Sequence, residues 1–414
     1  MIELYFKNQK VVNKLRESEL GPQLDTFASV VSDLGYSHAT IRTQIHLLAG
    51  LIRWVQKNEI VISDIDEDAT NLFLKKSARK GATRRGDKKT LRCFLDHLLV
   101  EGLIDYSPPP LNDSPLACLQ KRYENYLRKE RGLATVTASR YWPYLQRFLI
   151  EQFGNGPIRL RELNQQTIEK YFLHHAHDRT PKVAQLMVTA MRSFLRFLFR
   201  FGETERDLSA AVPTIPTWRL TEIPKYLKPE ELQSLLEVFD RTTPIGRRDY
   251  SILLLIARLG LRAGEVVALQ LDDINWRNAE LMIRGKGLYH DCLPLPQEVG
   301  KALAVYLQND RPICSTRRLF ITMRAPWRGF KNSTTVSTIV RRAVQRSGLN
   351  PSSKGAHLLR YTLATDMLRQ GASMSEIGEI LRHRSPNSTE IYAKVDIEGL
   401  RSIARPWPER GGVS

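Results

Sequence analysis

The chain has 414 residues, with 62 Lys and Arg against 44 Asp and Glu, a formal net charge of +18 and 42% apolar residues. That length exceeds what a single hydrophobic core sustains, so about two or three domains are expected, and the apolar fraction excludes a wholly disordered chain. The cationic surplus favours a polyanion, nucleic acid first, over a membrane: there is no apolar run of roughly 18 residues and no signal-peptide pattern at the start. The chain therefore reads as cytosolic. Cys93, Cys118, Cys292 and Cys314 are far apart and form no Cys-x-x-Cys pair, which points to reduced thiols rather than a zinc site or a disulfide framework.

Two proline-bearing stretches interrupt the chain, Tyr106 to Pro115 and Val212 to Pro224. Proline continues neither a helix nor a central strand, so these stretches divide the sequence into residues 1–106, 115–211 and 222–414. The first two segments read as copies of one another. Gly35 to Thr40 aligns with Gly132 to Thr137, Leu48, Leu51 and Ile52 with Leu145, Phe148 and Leu149, and Phe94 with Phe194. Apolar spacings of three and four in both predict amphipathic helices, and so two small bundles. The run from Lys75 to Lys89 is the densest in basic residues; it suits phosphate neutralisation or a solvated face.

The third segment opens with Tyr226 to Leu232, a capped helix start with proline and acids in its first turn. Helical periodicity continues, broken once by strand-like residues from Glu280 to Leu295. Gly285-Lys286-Gly287 sits at the middle of that stretch and predicts a hairpin with an exposed lysine at its tip. Arg262 follows Leu259-Gly260-Leu261 and precedes a helix read from Ala263 to Leu269, so its guanidinium and a helix N-terminus are placed to face one anion. His357 and Arg360 lie three apart, on one helical face. Leu381-Arg382-His383 comes next, and Tyr392 stands nine residues beyond that histidine, after Ser385 as a cap and Pro386 in the first helical turn.

Cleaving a phosphodiester needs a nucleophile, a group that stabilises charge on phosphorus and an acid for the departing oxygen. Two arginines suit the second task, because a guanidinium is permanently charged and grips two phosphate oxygens at once. The succession Arg262, Lys286, His357, Arg360, His383, Tyr392 resembles the tyrosine recombinase (phage integrase) family, and the resemblance runs from about residue 115 to the end. It implies a mainly α protein: two N-terminal, SAM-like helical bundles and a mixed α+β catalytic domain with a small antiparallel sheet. Residues 115–211 would be the core-binding DNA-clamp domain, residues 222–414 the catalytic domain, and residues 1–106 an additional bundle of the same type.

The resemblance also carries roles. Arg262 and Arg360 would bind the phosphate, Lys286 would protonate the 5' hydroxyl leaving group, and His383 would donate to a nonbridging oxygen. His357 is a candidate proton acceptor for Tyr392, and Glu265 would fix the orientation of an arginine or histidine. Tyr392 would form a 3' phosphotyrosine, with no ATP, metal or other cofactor. Double-stranded DNA is the expected partner, held by a homo- or hetero-tetramer on two duplexes, with sister recombinases as further partners, in the cytoplasm at the nucleoid. A tail with Leu400 and Ile403 on one side would dock on a neighbouring subunit. Arg382 stands where the family usually has Gly, Leu358 where Asp is common, and Tyr361 where His is common. Site-specific recombination for a mobile element is the expected function; a type IB topoisomerase and a silent DNA-binding accessory protein are the alternatives.

Overall fold

The computed structural model describes residues 1–395 except 7, 79–83, 85, 106–113, 155, 176–177, 217–224, 285–289, 384 and 386–387. These residues form two compact units, one built from residues 1–106 together with those from 222 onward, the other from residues 107–221. Helices dominate both, and a three-stranded antiparallel sheet lies in the first. No helix among the described residues is long and apolar enough to cross a membrane.

The N-terminal segment of the first unit consists of α1 (Gln9–Arg16), α2 (Gly21–Asp33), α3 (His38–Lys57), α4 (Glu67–Ala78) and α5 (Asp87–Val100). Side-chain caps start three of them: Asn8 accepts from the Lys10 amide, Ser37 from the Thr40 amide and Asp66 from the Ala69 amide. Leu24, Phe27 and Val31 of α2, Ile41, Ile45, Leu48 and Ile52 of α3, and Leu91, Phe94 and Leu98 of α5 are buried together. Their spacing of three and four is what turns one face of each helix inward.

The second unit contains α6 (Pro115–Asn125), which runs into a π-helical turn at Tyr126–Glu130, then α7 (Thr135–Phe153), α8 (Gln165–His175) and α9 (Pro181–Arg200). Its core is rich in aromatic rings, with Tyr123, Phe148, Phe172, Phe194 and Phe197 buried. The Tyr123 hydroxyl escapes an unpaired burial by donating to Ser193 Oγ at 2.9 Å.

From residue 222 onward the first unit continues with α10 (Pro229–Glu237), α11 (Pro244–Leu259), α12 (Ala263–Ala268), β1 (Ile274–Asn275), β2 (Glu280–Arg284), β3 (His290–Pro294), α13 (Gln297–Asn309), α14 (Thr334–Arg346), α15 (Ala356–Arg369) and α16 (Met374–Ile380). Helix α11 is buried on every side from Ser251 to Ala257 and packs against α13 and α15. A helix apolar all round is stable only at the centre of a core, and α11 holds that place. Strands β2 and β3 pair with Leu281 opposite Leu293 and Arg284 opposite His290. Leu281, Ile283 and Leu293 turn inward while their neighbours stay wetter, the alternation of a half-buried hairpin. Arg284 at its far end donates to the buried Asp273 at 2.8 and 3.0 Å.

One contact joins the N-terminal helices to the later segment of the same unit. The Leu34 carbonyl, at the end of α2, accepts from the Trp327 amide at 2.9 Å. The next residue, Gly35, has φ +81°, and a Cβ there would come within 2.2 Å of the Trp327 indole. Only glycine satisfies both the left-handed backbone and the close approach of the ring. Gly35→Ala is expected to destabilise the full chain by more than the about 1 to 2 kcal/mol of a left-handed alanine. A double-mutant cycle in urea checks this, and the excess should disappear in a Trp327→Ala background.

Candidate active site

Three turns that are distant in sequence meet at one place. Helix α11 ends at Gly260, whose φ of +61° lets the chain reverse, and a Cβ there would lie 2.6 Å from Leu381 Cδ2. Glycine at 260 therefore permits the turn and also the approach of the segment around residue 381. Arg262 precedes α12, and the Glu265 carboxylate reaches back to the Arg262 amide at 2.8 Å, as an acid in a first helical turn does. The same carboxylate takes the Arg262 guanidinium at 2.7 Å and the Arg382 guanidinium at 2.9 Å. Glu265 thus orients two arginines and no histidine. Burial pushes its carboxyl up, but the Arg382 charge and the Arg262 hydrogen bonds outweigh this and hold it below the ordinary carboxylate range.

Helix α15 supplies His357 and Arg360. The two differ in exposure: His357 is exposed, whereas Arg360 is 3% exposed. Arg360 donates to the carbonyls of Gly260 and Leu381, which ties the α11 end to the α16 end. Burial first, then Arg262 and Arg382, push its pKa down to about 10, which leaves it charged at neutral pH. Five N–H donors allow a guanidinium to hold two carbonyls and still present hydrogens to an anion. Arg262 is more open, with a side chain 40% exposed, and also donates to the Arg382 carbonyl at 3.0 Å.

Tyr392 lies in a 3-10 segment, Glu390–Val395, where an α-helix was expected from the sequence. It is 1% exposed and packs with Ala364, Ile377 and Leu381 in a small core of its own. The His383 ring lies parallel to the Tyr392 ring, with centroids 6.3 Å apart, and the Tyr361 ring meets Tyr392 edge-on at 5.9 Å. Tyr361 is also 6.0 Å from His357. His383 Nδ1 is 2.7 Å from Thr389 Oγ1, which fixes its ring plane. Burial pushes the Tyr392 phenol above its ordinary range, against the opposing pull of Arg360 and Arg262.

The structure therefore brings Arg262, Glu265, His357, Arg360, His383 and Tyr392 into one neighbourhood. Lys286 and its flanking glycines lie outside the described residues; strands β2 and β3 end on either side of them. The Ser385 cap expectation depends on Pro386, which also lies outside. Two contributors went unread in the sequence, Thr389 and the Arg382 guanidinium. Thr389 carries no local signal, while Arg382 stood out only by replacing a glycine. Among the described residues, no group of three or more His, Cys, Asp or Glu side chains is placed to hold a metal ion.

The phage integrase family profile matches residues 225–398. A Sinorhizobium fredii protein assigned as an integrase/recombinase, y4rA, is 37% identical over 98% of this chain and 98% of its own length. The chain belongs to the phage integrase family of tyrosine recombinases. The tyrosine recombinase XerD of Mycobacterium tuberculosis is 30% identical over 70% of this chain and 96% of its own. Among solved structures, the XerH site-specific recombinase, in a post-cleavage complex with a palindromic difH substrate, shares the fold with a TM-score of 0.57 at 17% identity, covering 84% of this chain and 99% of that one. As a phage integrase family member the chain is a tyrosine-type site-specific recombinase.

The two histidines of this recombinase give it a pH signature. Burial, then Arg360, Arg262 and Arg382, push His383 from 6.5 down to about 4, and His357, whose ring is partly shielded from water although the residue as a whole is exposed, is shifted in the same direction by that shielding, then by Arg360 and Arg262. Between those two values the unfolded chain binds a proton that the folded chain refuses, so folding stability falls as the pH falls through this window. Urea unfolding at several pH values within it should show the slope, and His383→Asn should make the slope shallower.

Proposed function

We propose that the chain cleaves and rejoins double-stranded DNA through a 3' phosphotyrosine on Tyr392. The observation that carries this reading is the burial of the Tyr392 phenol beside His383, within electrostatic reach of both Arg262 and Arg360. Two fixed cations next to a hydroxyl nucleophile suit a reaction in which charge accumulates on phosphorus. Arg262 and Arg360 grip the nonbridging oxygens of the scissile phosphate, and His383 donates to one of them.

The phenol is pushed above its ordinary pKa, so a standing phenolate is a poor description of the nucleophile. Its proton leaves as the Tyr392 oxygen bonds to phosphorus, and His357, neutral at physiological pH, accepts it. The P–O5' bond breaks, and the Lys286 ammonium protonates the departing oxygen. A 5' hydroxyl from another duplex reverses these steps and reseals the strand, so no ATP is consumed.

In this reading residues 115–211 form the DNA-clamp domain and residues 1–106 an additional bundle. The common order of helices α2 to α5 and α6 to α9, each with a 3-10 turn between its second and third helix, supports a shared origin for the two. Four subunits act on two duplexes, with the tail after residue 398 docking on a neighbour. In this reading the strand exchange serves a mobile element.

A duplex nicked beside the cleavage site traps the covalent step. Wild type should form a protein–DNA adduct and Tyr392→Phe none, while both bind the duplex. Arg360→Ala should slow adduct formation by roughly 100- to 1000-fold. Absence of adduct from wild type on a duplex that it binds at a mapped element junction would show a silent DNA-binding protein instead. Sizing of the DNA complex with and without residues 398–414 tests the tail, and an unchanged four-subunit assembly rules its docking out.

A further inference from the structure

A third guanidinium stands beside the two proposed to hold the phosphate. The Arg382 side chain is 6% exposed and its backbone sits at φ +53°, a left-handed conformation that residues with a Cβ disfavour. Its Nε is also buried without a hydrogen-bond partner among the described residues. A strained backbone and an unpaired buried donor at one residue call for a compensating role.

The contacts of Arg382 indicate what that role is. Its guanidinium donates to Glu265 Oε2 at 2.9 Å, to the Ile380 carbonyl at 3.0 Å, and at longer range to the carbonyls of Gly260 at 3.4 Å and Leu259 at 3.5 Å. Its own carbonyl accepts from the Arg262 guanidinium at 3.0 Å. Arg360 donates to Gly260 and Leu381 in the same two turns. Arg382 therefore touches the carboxylate partner of Arg262 and both turns on which Arg360 is anchored, and it directly precedes His383 in the chain. A glycine at 382 would fit the backbone and supply none of the side-chain links.

We propose that Arg382 is a positioning residue for strand cleavage: by sharing Glu265 with Arg262 and bracing the turns at 259–262 and 380–383, it holds Arg262, Arg360 and His383 in register on the scissile phosphate. The proposal rests on the phosphotyrosine reading given above. Glu265 divided between two arginines neutralises each only in part, so Arg262 keeps charge for the phosphate. Without Arg382 the carboxylate belongs to Arg262 alone.

Arg382→Gly and Arg382→Lys, beside wild type and Tyr392→Phe, test this on the nicked duplex under single-turnover conditions. Arg382→Gly relieves the left-handed strain and removes the side-chain links. Its cleavage should slow by about 10- to 100-fold, the scale of a small misplacement of reacting groups, with duplex affinity changed far less than rate. Arg382→Lys restores a charge next to Glu265 without the planar fork, and should recover part of the rate even if the glycine variant proves poorly folded. NMR titration of His383 without DNA gives a second readout: its pKa should rise from about 4 in Arg382→Gly and stay low in Arg382→Lys.

Wild-type cleavage rates in both variants overturn the proposal. So does slow cleavage with an unmoved His383 titration, since Arg382 would then be supporting the fold at a distance. If wild type itself makes no adduct, the phosphotyrosine reading fails, while the His383 titration still decides whether Arg382 acts on this site.

Discussion

Glu265 is the constraint on which the site depends. Three guanidinium groups, from Arg262, Arg360 and Arg382, share one neighbourhood, and Glu265 is the carboxylate paired to two of them. At an effective dielectric near 20, like charges about 4 to 8 Å apart repel by roughly 2 to 4 kcal/mol per pair. Glu265 offsets part of this repulsion, and the carbonyls of Gly260, Leu381 and Arg382 offset more by accepting from the guanidinium groups. These contacts hold the cluster together, and its excess of positive charge is available to an anion.

The same contacts account for the local folding of the segments. The chain must bring the end of α11, the start of α15 and the end of α16 together, and it uses arginine-to-carbonyl bonds that fix backbone as well as side chain. Gly260 is required because the α11 turn and the Leu381 side chain compete for the same space. The run from Ser251 to Ala257 of α11, buried on every side, gives these turns a rigid base. Tyr392 is held differently, in a small separate core with Ala364, Ile377 and Leu381. Tyr392, the proposed nucleophile, is therefore positioned by packing, and the arginines by charge and hydrogen bonding.

Much of this was legible from residue pattern. The helix start at Pro229, the beginning of α12 at Ala263, the β2–β3 hairpin and the nearness of Glu265 to Arg262 follow from local rules about helix ends, turn residues and one-turn spacing. What stayed hidden is tertiary. The spacing of His357 and Arg360 puts both on one helical face, yet one is exposed and the other buried, because the segment around Leu381 covers Arg360 and leaves His357 clear. No rule assigns a left-handed backbone to arginine, so the place of Arg382 against Glu265 was invisible even though the residue itself drew notice. The seat of Trp327 on Gly35 joins residues almost a whole chain apart, and nothing local to either announces it.

The environment of Tyr392 limits how the chemistry is timed. A phenol that the arginines had already ionised would be reactive toward any electrophile, and it would place a negative charge where the phosphate must sit. Here burial outweighs the arginines and keeps the proton on. On the proposed mechanism an incoming phosphodiester would bring negative charge to Arg262 and Arg360 and weaken their pull on the phenol further, so binding alone would not generate a phenolate. Proton removal would then accompany formation of the O–P bond. That coupling makes a neutral histidine valuable, and burial first, then the arginines, supplies the condition: Arg360, Arg262 and Arg382 add to the depression of His383, and Arg360 and Arg262 to that of His357. On the proposed mechanism, the charge that would hold a phosphate thus also helps burial keep the two histidines unprotonated.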